Sequence, residues 1–269
     1  MTIDPEALTI RTGGSTFTYL ERGAGTPLVL LHGVGSAARS WRHQVDNLSH
    51  AFRVIAWDAP GYGGSTCLEP EHPDADDYAA GLARFLEALN VDRFHLVGHS
   101  FGCVTAARFA RLHPERIVTL TLASIAGGSG RLTPQERERA RNLRLDDLRD
   151  LGPRGLAEKR GPRLVSANAS EPARRSVIDT MALVRPDGYT QAVWMLSNAD
   201  TRADLARLPP DMRVQIIYGD ADVITTPEQN QAIAGARPGV RVHVVKGPGH
   251  ALYIEQPEAF NRLLLEFMM

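Results

Sequence analysis

The sequence predicts an α/β chain: a doubly wound, mostly parallel eight-stranded sheet with an inserted helical cap. Three observations lead there. Six short apolar runs rich in β-branched residues recur along the chain, as expected of strands covered on both faces. Segments of helical period separate them, as parallel connections require. The stretch 127–205 alone breaks this rhythm, with no strand-like run, and it is too long for a plain loop.

The elements follow in order. Residues 8–13 and 16–22 are two short strand-like segments meeting at Gly13-Gly14, which predicts an antiparallel hairpin. Residues 28–31 form an apolar run ending in His32-Gly33, and 53–57 form a second ending in Asp58. A helix over 41–48 lies between them. Over 75–89, Tyr78, Leu82, Phe85, Leu86 and Leu89 recur at helical spacing and give one apolar face. Residues 94–97 read as a strand and 103–110 as a helix. Residues 117–122, 214–218 and 240–245 complete the strands. A helix over 257–267 closes the chain, with Phe260, Leu263, Leu264 and Phe267 on one face and Pro257 in its first turn. Within the insertion, 134–150, 172–184 and 188–199 read as short helices. The expected organisation is a core of residues 1–126 and 206–269 with a cap of residues 127–205 over the C-terminal edge of the sheet.

Composition bounds the function. The chain has 269 residues, 43% hydrophobic and 23% charged, enough for a sizeable core. A formal net charge of −1 gives no field that would draw nucleic acid or an anionic membrane, so neither is expected as partner. The two cysteines, Cys67 and Cys103, make no disulfide framework, and no Cys/His spacing suggests zinc. Cys103 reads as a small buried side chain. Residues 1–6 show no basic segment leading into an apolar run, so no signal peptide is expected. No run of about 18 apolar residues suggests a membrane span. A cytoplasmic protein is expected, with a homodimer left open.

The most informative segment is Gly98-His99-Ser100-Phe101-Gly102, a G-x-S-x-G pentapeptide between strand-like and helix-like runs. A strand that turns at once into a helix strains its turn residue, and small residues two before and two after let the turn close. Ser100 then stands at a strand tip. The Phe101 N–H points outward at a helix start, where partial positive charge collects. Such a place suits a nucleophile whose attack creates an oxyanion.

A serine hydroxyl needs a base, and the base needs an acid to orient it. His250, in Gly247-Pro248-Gly249-His250, follows one strand run; Asp220 and Asp222, in Gly219-Asp220-Ala221-Asp222, follow another. Both segments lie past strand C-terminal ends, where ligands bind in open α/β sheets. Asp222 is preferred as the acid because it lies farther out on its loop; Asp220 suits a turn-stabilising role. Of the nine histidines, His43, His50, His72, His113 and His243 lack catalytic context, His95 lies inside a strand, and His99 should point away from the nucleophile's face. A second oxyanion donor is expected at the Val34 N–H in His32-Gly33-Val34-Gly35. Residues 58–65, Asp58-Ala59-Pro60-Gly61-Tyr62-Gly63-Gly64-Ser65, have the glycines of a phosphate cradle without its signature, and read as a turn walling the pocket.

Together His32-Gly33, Asp58-Ala59-Pro60-Gly61-Tyr62-Gly63, Gly98-His99-Ser100-Phe101-Gly102, Gly219-Asp220-Ala221-Asp222 and Gly249-His250 resemble the α/β-hydrolase superfamily over nearly the whole chain. The order Ser100, Asp222, His250 is also that of the superfamily. The resemblance implies Ser100 as nucleophile, His250 as base, Asp222 as acid, and Val34 and Phe101 as oxyanion donors, under a lid that sets the substrate. Gly33, His99, Trp194 and Tyr253 are the candidate substrate contacts. The tail from Gly249 to Phe260 and the segment Arg185-Pro186-Asp187-Gly188-Tyr189 are similar to bacterial 3-oxoadipate enol-lactonase-like hydrolases. Meta-cleavage-product hydrolases, which cut carbon–carbon bonds, are similar too; they usually carry Asn and Trp where this chain has His99 and Tyr253.

These readings imply a serine hydrolase acting on a small carboxylic ester or lactone through an acyl-enzyme, with no metal or organic cofactor. Carbon–carbon hydrolysis is the alternative, and a non-catalytic ligand-binding protein on the same fold is the second. Dehalogenase and epoxide hydrolase relatives carry aspartate where Ser100 stands. The insertion is rich in arginine (Arg131, Arg137, Arg139, Arg141 and Arg144 among others). A solvated helical face is the ordinary reading of such a run; anchoring of a substrate carboxylate is the sharper one.

Overall fold

A computed structural model describes residues 7–269; residues 1–6, the stretch inspected for a signal peptide, lie outside the described residues. The chain opens with strands β1 (Leu8–Thr12), β2 (Ser15–Arg22) and β3 (Pro27–Leu31), then helix α1 (Arg42–Leu48), β4 (Arg53–Trp57), α2 (Ala75–Ala88), β5 (Phe94–His99), α3 (Phe101–Leu112) and β6 (Ile117–Ala123). Four helices follow: α4 (Pro134–Arg160), α5 (Glu171–Met181), α6 (Pro186–Asn198) and α7 (Thr201–Ala206). The chain then returns to the sheet with β7 (Val214–Gly219), α8 (Pro227–Ala234) and β8 (Arg241–Val245), and ends in α9 (Leu252–Glu255) and α10 (Pro257–Met268).

The eight strands form one sheet in the order β1-β2-β4-β3-β5-β6-β7-β8. The β1–β2 and β2–β4 pairs are antiparallel and all others parallel. Alternation along the strands explains the two covering layers. Val29, Leu31, Ile55, Trp57 and Leu96 point into one apolar cluster with Leu82, Phe85 and Val104 of α2 and α3. Their neighbours Leu28, Leu30, Val54, Ala56 and Val97 point into a second with Val45, Phe260 and Leu264 of α1 and α10. Because both faces are apolar, these strands read as continuous hydrophobic runs. Each such buried side chain contributes about 1.5–3 kcal/mol relative to exposure.

Local signals set the helix ends. Asp74 caps α2 by accepting the N–H groups of Asp76 and Asp77, and the Asp77 carboxylate returns the bond to the Asp74 N–H. The helix expected to stop at residue 150 continues to Arg160 across a break at Gly152, whose φ of 65° leaves the helical region. Pro153 then restarts the helix in a first turn, where its missing N–H costs nothing.

The helical insertion is tied down by the segment Arg185 to Gln191. Arg185 Nη1 donates to the Ser65 carbonyl at 2.9 Å. The Gln191 amide accepts the Leu68 N–H at 3.0 Å and donates to the Leu68 and Pro70 carbonyls at 2.8 Å each. These bonds hold α6 on the loop after β4, which thus serves as a wall. Among the described residues no helix is long and apolar enough to cross a membrane, and no group of three His, Cys, Asp or Glu side chains is placed to hold a metal ion.

Candidate active site

The β5–α3 turn is the centre of the site. Ser100 has φ 53° and ψ −114°, a conformation that L-residues rarely adopt. Its N–H donates to the Ala123 carbonyl of β6 at 2.9 Å, which holds the turn to the neighbouring strand. Glycine is required on both sides: a Cβ at Gly98 would lie 2.5 Å from the Gly102 oxygen, and one at Gly102 would lie 2.3 Å from the Leu31 oxygen. Cys103 is fully buried and its thiol donates to the Gly98 carbonyl at 3.1 Å, a structural role. The Phe101 side chain turns into the core, edge-on to Tyr78 at 5.2 Å. Its backbone N–H, as the first of α3, belongs to the turn of donors that lack a helical acceptor.

His250 and Asp222 meet across the loops after β8 and β7. His250 Nδ1 lies 2.9 Å from Asp222 Oδ2. A carboxylate only accepts here, so Nδ1 carries the proton of this bond. Asp222 is 2% exposed, yet it is fully bonded: Oδ1 accepts the Ile224 and Thr225 N–H groups at 2.8 and 3.0 Å, and Oδ2 accepts the Thr225 hydroxyl at 2.9 Å. Burial alone would raise its pKa. The facing imidazole and these donors prevail and hold it at about 2, so the carboxylate is charged at neutral pH. Asp220 instead accepts the Gly247 N–H at 2.7 Å, a turn contact.

Two further loops complete the wall. His32 accepts the Ala59 N–H on Nε2 at 3.0 Å and donates from Nδ1 to the Gly33 carbonyl at 2.8 Å, so it is a neutral tautomer. Burial lowers its pKa. The Tyr62 hydroxyl donates to the Val34 carbonyl at 2.8 Å. Both contacts fix the Gly33–Val34 segment that carries the expected oxyanion donor. His99 Nε2 donates to the His250 carbonyl at 2.9 Å, while its Nδ1, beside Gly33, is buried with no hydrogen-bond partner among the described residues. Burial and then the neighbouring His250 push the His99 pKa down to about 3.

Ser100, His250, Gly33, Val34, His99 and Tyr253 all line one cavity of about 590 Å³, closed from the other side by the insertion. Tyr253 presents its ring there, stacked on Trp41 at 4.1 Å, and its hydroxyl bonds Ser40 at 3.0 Å. His99 reaches the cavity mainly as a support for the His250 loop. The expectation for Trp194 is corrected: it is absent from the cavity wall, because its ring is held between His72 (3.7 Å) and the Arg141 guanidinium (3.8 Å).

Three supporting residues escape sequence reasoning. Thr225 bonds Asp222 and lies 3.2 Å from His250 Nδ1. Tyr62 secures Val34. Glu255 accepts the Gly249 N–H at 2.7 Å and the Ser166 hydroxyl at 2.7 Å, tying the His250 loop to the insertion. A threonine three residues after the acid is a weak signal at best. The partners of Tyr62 and Glu255 are visible only in three dimensions.

Comparison with known proteins agrees with this architecture. Residues 28–263 match the model of the alpha/beta hydrolase family. A 2-hydroxy-6-oxononadienedioate/2-hydroxy-6-oxononatrienedioate hydrolase from Paraburkholderia phymatum is 30% identical over 93% of this chain and 90% of its own. A thermophilic esterase from Thermogutta terrifontis, solved with malate bound, superposes with a TM-score of 0.86 at 26% identity, covering 98% of each chain. The enol-lactonase from Burkholderia xenovorans superposes with a TM-score of 0.85 at 24% identity, covering 97% of this chain and 99% of its own. Other curated relatives are longer, and the chain spans about two thirds of their length. With its sheet order, its strained serine and its family match, this chain belongs to the α/β-hydrolase family.

Proposed function

We propose that the protein is a serine hydrolase of a small carboxylic ester or lactone, with residues 127–205 as its lid. The observation that carries this reading is the 2.9 Å bond between Asp222 and His250, which lines the same cavity as Ser100 in its strained turn. His250 Nε2 takes the Ser100 proton as the oxygen bonds the substrate carbonyl carbon. The Val34 and Phe101 N–H groups receive the oxyanion, each such donor contributing about 3–4 kcal/mol. As the tetrahedral species collapses, the carbon–oxygen bond to the leaving alcohol breaks and the imidazolium returns the proton to that oxygen. Water then gives a proton to His250 and attacks the acyl-enzyme, freeing the acid and restoring the Ser100 hydroxyl. A lactone opens in the first half, and its alcohol stays on the acyl group until the second.

Labelling with a fluorophosphonate tests the nucleophile: an adduct on Ser100 of the folded protein is expected, and Ser100→Ala should lose both the adduct and turnover. Full turnover by Ser100→Ala refutes the mechanism. Carbon–carbon hydrolysis is the second reading, favoured by the 30% identical relative named for such a substrate. A panel of simple esters, enol-lactones and ring-fission dienoates separates the two.

A further inference from the structure

Among the described residues the core wall of the cavity carries no Asp, Glu, Lys or Arg, but the insertion wall does. Arg131, Arg141, Arg144, Arg160, Arg163 and Arg202 line it, against one acid among the described residues, Asp200. Asp200 is already spent on capping α7, where it accepts the Ala203 N–H at 3.0 Å. Arg160 is neutralised by Asp147, with Nε 2.8 Å from Oδ2. Arg131, Arg163 and Arg202 are exposed.

Arg141 and Arg144 differ. Both are half-buried, and three residues apart on α4 they share a helix face. Among the described residues neither has a carboxylate within ion-pair distance. Arg141 lies over the Trp194 ring, its Cζ 3.8 Å from the centroid, and the Trp194 and His72 ring centroids are 3.7 Å apart. A stacked guanidinium keeps its in-plane N–H edge free while its orientation is fixed, which lowers the entropy cost of binding an oxyanion. A half-buried arginine with no counter-ion is costly unless something supplies one.

We propose that Arg141 and Arg144, oriented by the Trp194–His72 stack, form a subsite for an oxyanionic group, carboxylate or phosphate, at the non-reacting end of the substrate. This rests on the hydrolase reading for its catalytic half only. Trp194 is a positioning residue here. The core wall would do the chemistry and α4 would select anionic substrates.

Two measurements test this. The first compares kcat/KM for the 4-nitrophenyl monoester of adipic acid with that for 4-nitrophenyl hexanoate, a neutral ester of equal length. Arg144→Gln should lower the acidic-to-neutral ratio by about tenfold or more, chiefly through KM, as loss of a charge-assisted bond predicts. Trp194→Leu should lower it by a smaller factor, and Arg139→Gln, an exposed arginine on the same helix, should leave it unchanged. The second measures binding of adipate and of inorganic phosphate to the Ser100→Ala protein by calorimetry. Arg144→Gln in that background should weaken adipate about tenfold or more; parallel weakening of phosphate would identify a general oxyanion site, and adipate alone a carboxylate site. An equal effect on both esters, or adipate and phosphate binding that is absent or indifferent to Arg144, overturns the proposal. Arg144-dependent adipate binding without Ser100-dependent turnover would strike down the serine mechanism and leave the subsite standing.

Discussion

His99 offers a quantitative test of the site's electrostatics. Its ring is buried against Trp41, Tyr253 and His250, and its Nε2–H is committed to the His250 carbonyl. The folded protein therefore holds it neutral, with the pKa lowered from the ordinary 6.5 to about 3. The unfolded chain accepts a proton that the folded chain refuses. Its effect on stability is thus nil well above pH 6.5 and grows as pH falls from there towards 3, by up to ~1.4 kcal/mol per pH unit.

Between pH 7.5 and pH 5.0, that shift corresponds to a loss of about 2 kcal/mol from this one side chain. His99→Asn removes the titration and keeps a donor near the His250 carbonyl. At pH 7.5 the variant should be less stable by ~1–2 kcal/mol, because a smaller side chain leaves space against Trp41 and Tyr253. At pH 5.0 the two proteins should be nearly equal. Urea unfolding followed by tryptophan fluorescence at both pH values reads the double difference, in which His32 and His95 cancel. A pH dependence identical in the two proteins would show that His99 takes up a proton in the fold near its ordinary value, and would refute the argument.

Two further predictions follow from geometry. Asp222→Asn should keep the fold, because the Ile224 and Thr225 N–H groups still have an oxygen to bond, but its amide facing His250 Nδ1 favours the wrong tautomer. kcat on a 4-nitrophenyl ester should fall on the order of 10³–10⁴-fold, and a loss below tenfold refutes the assignment. Gly102→Ala drives a Cβ to 2.3 Å from the Leu31 oxygen, so β3 and α3 must part; a loss of about 3 kcal/mol, roughly 6 °C or more in Tm, is expected. An unchanged melting curve contradicts it.

What was legible in the sequence was what local pattern encodes. The two-sided burial of β3, β4 and β5 makes unbroken apolar runs, and the turn at Ser100 needs glycines at fixed offsets, so both announce themselves within a few residues. His250 and Asp222 were legible because loops past parallel strand ends converge on one edge. Thr225, Tyr62 and Glu255 were not, since hydroxyls and carboxylates of this kind occur everywhere and only the fold supplies their partners. Trp194 misled for the same reason. An aromatic residue in a lid suggests a substrate contact, but here His72, from the loop after β4, covers one face of the ring and Arg141 the other.

The charge arrangement would let the proposed anion recognition be separated from the proposed chemistry. Around Ser100, burial lowers the pKa of His32 and of His99, while Asp222 stays ionised at 2% exposure because three hydrogen bonds and the facing imidazole favour its charge. His32 and His99 stay neutral and act as hydrogen-bonded struts for the Gly33–Val34 and His250 loops. A cation introduced beside them would raise the cost of forming an imidazolium at His250. The arginines stand on α4 and its neighbours, on the insertion side of the cavity, where the proposed subsite would draw an anion. Substitutions along α4 should consequently move KM and substrate preference first, while changes at His32, His99 or Thr225 should move kcat.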